Sequence, residues 1–89
     1  MDEGFEWDDG KNKRNVSKHG ISFEDAVAIF QDKRVRNRPS RAPGEEERFL
    51  ATGEIEGRVA TVVFTRRAGL LRIISARSAR RKERDDYER

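Results

Sequence analysis

Phe23, Ala26, Val27 and Phe30 stand at i, i+3, i+4 and i+7, the spacing that lays one apolar stripe along a helix. Ser22-Phe23-Glu24-Asp25 opens that stretch like a capping box, with Asp where Glu is usual. The pattern predicts a helix ending near Asp32, its stripe turned to the core. Upstream, Phe5-Glu6-Trp7-Asp8 reads as a short strand. Asp8 or Asp9 then N-caps a helix over about 10–18, closed by Gly20 just after His19. That helix is nearly all polar, with Val16 its main apolar residue. It is expected to pack weakly and leave Lys11, Lys13, Arg14 and Lys18 in water.

The second half changes period. Residues 33–38 alternate well enough for an edge strand, and 39–44 read as a loop. Residues 48–54 and 58–66 form two strands around the turn Glu56-Gly57, the second carrying Val59, Val62, Val63 and Phe64. Ala68-Gly69 turns the chain into a third strand over 70–77, completing an antiparallel meander. Residues 79–88 complete the chain as a charged helix with Tyr87 as its anchor. The expected fold is α+β in one domain spanning 1–89: an antiparallel sheet, two N-terminal helices on one face, and a C-terminal charged helix. The other sheet face keeps few apolar residues and many arginines, a natural place for a nucleic-acid strand.

Composition sharpens this picture. Charged residues are 42% of the chain and hydrophobic ones 34%, so Phe5, Trp7, Phe23, Phe30, Phe49 and Phe64 must anchor a modest core. With no cysteine and one histidine, disulfides and thiolate zinc sites are excluded, and neither a metal nor a cofactor is expected. No apolar run approaches the ~20 residues of a membrane span. The acidic start has no signal-like apolar region, so a cytoplasmic protein is expected. The net charge of +3 hides a strong asymmetry. Nine basic residues face one acid, Glu83, between Arg58 and Arg84, and Lys33, Arg34, Arg36, Arg38 and Arg41 form a second basic run. Such stripes are a nucleic-acid footprint, although a solvated face or an acidic protein partner would use them equally well.

The stretch from Leu70 to Arg81 carries arginines inside an apolar strand. A buried guanidinium needs an anion, and its planar fork suits phosphate. On a regular strand Arg72 and Arg77 have opposite parity and point to opposite faces. One of them is then a structural pair. Arg77, after the small Ser75-Ala76, is the better phosphate ligand, with Arg66 beside it, and Arg72 is the structural one.

Phe5-Glu6-Trp7-Asp8, Lys18-His19-Gly20-Ile21-Ser22-Phe23-Glu24, Glu46-Glu47-Arg48-Phe49, Val63-Phe64-Thr65 and Arg72-Ile73-Ile74-Ser75-Ala76-Arg77 together resemble the BrnT-type toxins, in order and over nearly the whole chain. The resemblance implies a RelE-like fold and ribonuclease activity as the toxin of a type II toxin–antitoxin system. It also implies a BrnA-type antitoxin with a ribbon-helix-helix DNA-binding part.

Metal-independent RNA cleavage requires a base for the 2′-hydroxyl, cations for the charged transition state and an acid for the leaving 5′-oxygen. One histidine cannot form a two-histidine pair, so His19 must work with a carboxylate, or arginines must carry the reaction. Glu46 aligns with the family's Glu-x-Arg and is the preferred carboxylate. An ordinary glutamate, with a pKa of ~4.3, needs partial burial to act as a base near neutrality, and an ion pair of Glu46 with Arg66 or Arg77 is the competing reading. His19 reads either as a helix C-cap packed under Ile21 or as an acid or phosphate contact. The expected catalytic set is Glu46, His19, Arg66 and Arg77. Lys18, Arg48, Arg72, Arg80 and Arg81 are expected to bind RNA, with the basic terminal residues also available for antitoxin docking. A non-catalytic module that holds RNA or a partner on the same basic sheet remains the alternative. Trp7 and Phe49 are read as core residues that are also able to stack on a base.

Overall fold

The computed structural model describes residues 4–40 and 47–89. Among these, the chain runs β1 (Gly4–Glu6), α1 (Asp9–His19), α2 (Phe23–Ala26) continued by a 3₁₀ turn (Val27–Gln31), β2 (Arg36–Ser40), β3 (Arg48–Ile55), β4 (Arg58–Arg67), β5 (Leu70–Ser78) and α3 (Arg81–Glu88). The strands form one sheet in the order β1-β5-β4-β3-β2. The meander of β2 to β5 is antiparallel, as expected, but β1 pairs parallel with β5, Phe5 opposite Leu71 and Glu6 opposite Arg72. The sheet is therefore mixed, because the two helices carry the chain across before the meander begins.

The local signals act as expected at α1. The Asp8 carboxylate accepts from Lys11 N–H at 2.9 Å, and Gly20, at φ 72°, donates to Val16 O at 2.8 Å. Ser22 Oγ caps α2 through Asp25 N–H at 3.0 Å. After Ala26 the helix tightens. With three residues per turn instead of 3.6, the residue stacked over Ala26 is Ile29. Ile29 is accordingly fully buried, whereas Val27 and Phe30 are only half-buried. Gly53 permits this approach, since a Cβ there would stand 2.8 Å from Ile29 Cγ1.

One sheet face carries Ala51, Ile55, Ala60, Val62, Phe64, Leu71, Ile73 and Ala76, and packs with Ile21, Phe23, Ala26 and Ile29. Phe5, Phe30, Phe49 and Trp7 extend this core through ring contacts: Phe5–Phe30 at 5.5 Å, Phe49–Phe64 at 5.6 Å and Trp7–Phe23 at 6.2 Å. Helix α1 is held differently from the weakly packed helix expected. Val16 is exposed, and the buried residue is Asn15. Asn15 Nδ2 donates to Ile21 O and Ala76 O, both at 2.8 Å, and Ala76 N–H donates to Asn15 Oδ1 at 3.1 Å. The side-chain amide thus replaces a neighbouring strand along the part of β5 that the short β1 does not reach. At the opposite margin β2 carries Pro39, which removes one backbone donor.

The register of β5 contains an irregularity. Val63 lies opposite Ser75 and Phe64 opposite Ile73, leaving Ile74 as an extra residue. Arg72 sits opposite Thr65 and Arg77 opposite Thr61. Because Thr61 and Thr65 share a face of β4, the bulge brings Arg72 and Arg77 to the same face. The regular-strand parity expected for them does not hold.

Candidate nucleic-acid interface

The face away from the core collects polar side chains under α3. Glu83, in the first turn of that helix, is only 3% exposed. Arg77 donates to both its oxygens at 2.8 and 2.9 Å, and Arg38 Nη2 donates to Oε2 at 2.7 Å. The Arg80 backbone N–H and the Thr61 hydroxyl add bonds to Oε1 at 2.8 and 2.9 Å, and Thr52 meets Thr61 at 2.8 Å. Burial works to raise the Glu83 pKa. The Arg77 guanidinium, the Arg80 N–H and the Thr61 hydroxyl outweigh burial and hold it down at about 2. The anion that the strand arginines require is therefore supplied within the chain. Tyr87, the anchor expected of α3, donates its hydroxyl to Asp32 at 2.6 Å and lies under the Arg34 guanidinium at 4.8 Å. The Tyr87 hydrogen bond holds Asp32 below the usual carboxylate range.

A second basic region lies where α1 meets β5. Lys11, Arg14, Asn15, Lys18 and His19 line a cleft of about 280 Å³ together with Ile74 and Ser75. His19, the last residue of α1, is half-buried there, while Lys11, Arg14 and Lys18 are exposed. Among the described residues no carboxylate pairs with those three cations. They flank Asn15 on the side of α1 that is fixed to β5. The bulge at Ile74 turns the β5 backbone at the cleft wall.

The structure distributes the expected site residues over several environments. His19 and Lys18 share the cleft. Arg77 is committed to Glu83, so its assignment as the phosphate ligand gives way to an internal ion pair. Arg72 lies 3.4 Å from Glu6, which agrees with its structural reading. Arg66 is parted from Arg77. It pairs in register with Leu71, two residues beyond Phe64 and on the core-facing side, whereas Arg77 faces the other way with Thr61. There Arg66 lines an apolar pocket of about 370 Å³ with Phe30, Phe49 and Phe64. Arg48 is half-buried at the start of β3, opposite Ser40. Arg80 leads into α3 and Arg81 begins it, both exposed. Glu46 and Arg41 lie outside the described residues.

Sequence reasoning overlooked Lys11 and Arg14 as partners of His19, although their i and i+3 spacing with Lys18 four residues later was visible. It also overlooked Asn15 and Glu83, whose burial no local pattern announces. Among the described residues no helix is long and apolar enough to cross a membrane.

A small α+β scaffold, a cation-lined cleft holding the chain's histidine and a surplus of surface arginine fit a protein that acts on RNA. Residues 7–83 match a family of ribonuclease toxins of type II toxin–antitoxin systems. The chain belongs to this family, BrnT, which brings with it an RNA substrate and an antitoxin partner. A search of individually curated proteins finds none that matches.

Proposed function

We propose that this BrnT protein is a metal-independent RNA endonuclease that cuts RNA in the cytoplasm, halting translation and growth, on a scaffold of RelE-like type. The observation that carries the reading is the meeting of His19 with Lys11, Arg14 and Lys18 in the α1–β5 cleft. Histidine is the side chain whose ordinary titration falls near neutrality, and cations around it stabilise the charge that develops on a phosphodiester.

In the proposed reaction the ribose 2′-oxygen forms a bond to the adjacent phosphorus and its proton passes to a base. The bond from phosphorus to the 5′-oxygen breaks, and that oxygen takes a proton. The products are a 2′,3′-cyclic phosphate and a 5′-hydroxyl. His19 serves as the acid, with Glu46 as the proposed base. Lys11, Arg14 and Lys18 hold the phosphate. Arg66 contacts the bound strand beyond the reacting bond, and Arg48, Arg72, Arg80 and Arg81 draw RNA to the surface. Arg77 contributes through Glu83, as a positioning residue of the sheet. A BrnA-type ribbon-helix-helix antitoxin, by covering the basic surface, neutralises the toxin.

The test is purified protein on RNA with a chelator present. Cleavage to cyclic-phosphate ends is expected, reduced about 100-fold or more in His19→Asn. Intact RNA beside demonstrably folded wild-type protein sinks the enzymatic reading. RNA binding that weakens steeply with salt but yields no products would point to the non-catalytic alternative. Co-expression with the product of a neighbouring ribbon-helix-helix gene should restore growth, and failure to bind or rescue removes that partner.

A further inference from the structure

The pocket on the core-facing side, between β2 and the far ends of β4 and β5, has no part in the cleft chemistry. Its volume is about 370 Å³, near the lower bound of the ~300–1,000 Å³ typical of ligand pockets. Phe64 forms the buried centre of its wall. Phe30 meets Phe64 edge-on at 5.1 Å, and Phe49 stacks on it at 5.6 Å. Both outer rings are half-buried, so each keeps part of its surface at the cavity. Val35 and Leu71 complete the apolar lining, and Asn37 and Arg66 are its polar members.

Three aromatic rings, one amide and one guanidinium make an unusual lining for a pocket that merely finishes a core. A planar, partly polar guest suits it. Aromatic rings stack on bases of single-stranded RNA, whose edges are open to hydrogen bonding. An asparagine amide presents a donor and an acceptor together, the pair that reads N6 and N7 of adenine, and an arginine fork reads O6 and N7 of guanine. Both patterns share N7, which only purines carry on that edge. We infer that this pocket binds a purine base of the RNA substrate, stacked against Phe49 and Phe30 and read by Asn37, with Arg66 at the same edge or at the adjoining phosphate.

The position suits a specificity site. Leu71 of the pocket and Ile74 of the cleft are three residues apart on β5, roughly 10 Å at ~3.3 Å per residue. Both sites thus use β5 as a wall. The inference rests on the ribonuclease reading for its biological sense, but base binding is measurable without cleavage.

The experiment titrates the full chain with adenosine, guanosine, cytidine and uridine 5′-monophosphates, following the Asn37 side-chain amide and the Phe49 ring by NMR. Purine nucleotides should move both signals, and pyrimidine nucleotides should bind at least about fivefold more weakly. Asn37→Ala and Phe49→Leu should each weaken the purine nucleotide about fivefold or more. Asn37 is exposed, so its variant tests the pocket without disturbing the core. On RNA, cleavage should be biased toward steps with a purine at one fixed position, and Asn37→Ala should flatten that bias. Equal response to all four nucleotides, a pyrimidine preference, or no shift at Asn37 overturns the inference. Shifts with purine nucleotides and no RNA cleavage would sink the ribonuclease reading and leave the pocket standing.

Discussion

Two arginine- and lysine-rich regions lie on this small fold, and they treat charge in opposite ways. Under α3, Arg38 and Arg77 both close on the one buried carboxylate of Glu83. In the α1–β5 cleft, Lys11, Arg14 and Lys18 stand beside His19 with no acidic residue in the lining. The first region has its anion built in and is part of the fold. The second leaves its cations in water, open to an anion from outside, and is a candidate for function. Charge density along the sequence cannot separate the two, because both read as basic stretches. The position of one buried glutamate separates them.

The strongest way to break the comparison is to remove that glutamate. Glu83→Ala leaves Arg77, whose side chain is 17% exposed, without its anion and removes the carboxylate to which Thr61 donates. A loss of about 3–5 kcal/mol is expected, visible as a fall in Tm of roughly 12 °C or more by thermal denaturation. A loss below about 1 kcal/mol would show that the network is not a structural element.

Asn15→Ala probes the wall of the cleft. It leaves the Ala76 N–H and C=O without their side-chain partner, and about 2–4 kcal/mol of stability should go with them. Denaturant titration measures the loss, and hydrogen exchange at Ala76 should rise with it. Unchanged protection would mean that another group holds the β5 edge.

Next in size is a pH effect confined to the first region. The Glu83 pKa is depressed from 4.5 to about 2. Its stabilisation is fully present above about pH 4.5 and is lost as pH falls through 4.5 toward 2. Urea midpoints should therefore decline over that window. In Glu83→Gln this part of the decline should vanish, and an identical slope in both proteins would contradict the assignment.

The smallest effect on stability, and the sharpest contrast, comes from the cleft. Lys11→Ala with Lys18→Ala should change stability by no more than about 0.5 kcal/mol. RNA affinity should nonetheless fall, and the slope of log affinity against log salt should shallow by about 1.4, about 0.7 for each lost phosphate contact. Fluorescence anisotropy over a salt series reads this directly. An unchanged slope would remove both lysines from the RNA path.

Much of the fold was legible. The caps at Asp8, Gly20 and Ser22 and the turns at Glu56-Gly57 and Ala68-Gly69 placed the elements, because those signals are local. Two things were hidden for a physical reason. Whether a strand gains an extra residue depends on its partner's register, so the bulge at Ile74 and the shared face of Arg72 and Arg77 were out of reach. Burial of Asn15 and Glu83 depends on groups distant in sequence, Ala76 for one and Arg38 for the other. At the candidate site, His19 and Lys18 were visible as a pair. The separation of Arg66 from Arg77 was within reach too, since the turn at Ala68-Gly69 sets Arg66 opposite Leu71, six residues before Arg77; the bulge decides only which face Arg77 takes.

The margins of the sheet carry a consequence for recognition. β1 is three residues long, Asn15 occupies the β5 backbone at Ala76, and Pro39 interrupts the donors of β2. A long bare edge invites another chain to join a sheet, and short, covered or proline-bearing edges refuse it. Among the described residues this molecule therefore offers little main chain to recruit a neighbour. Pairing through the main chain is disfavoured at these margins, and recognition there falls to side chains, by charge and shape.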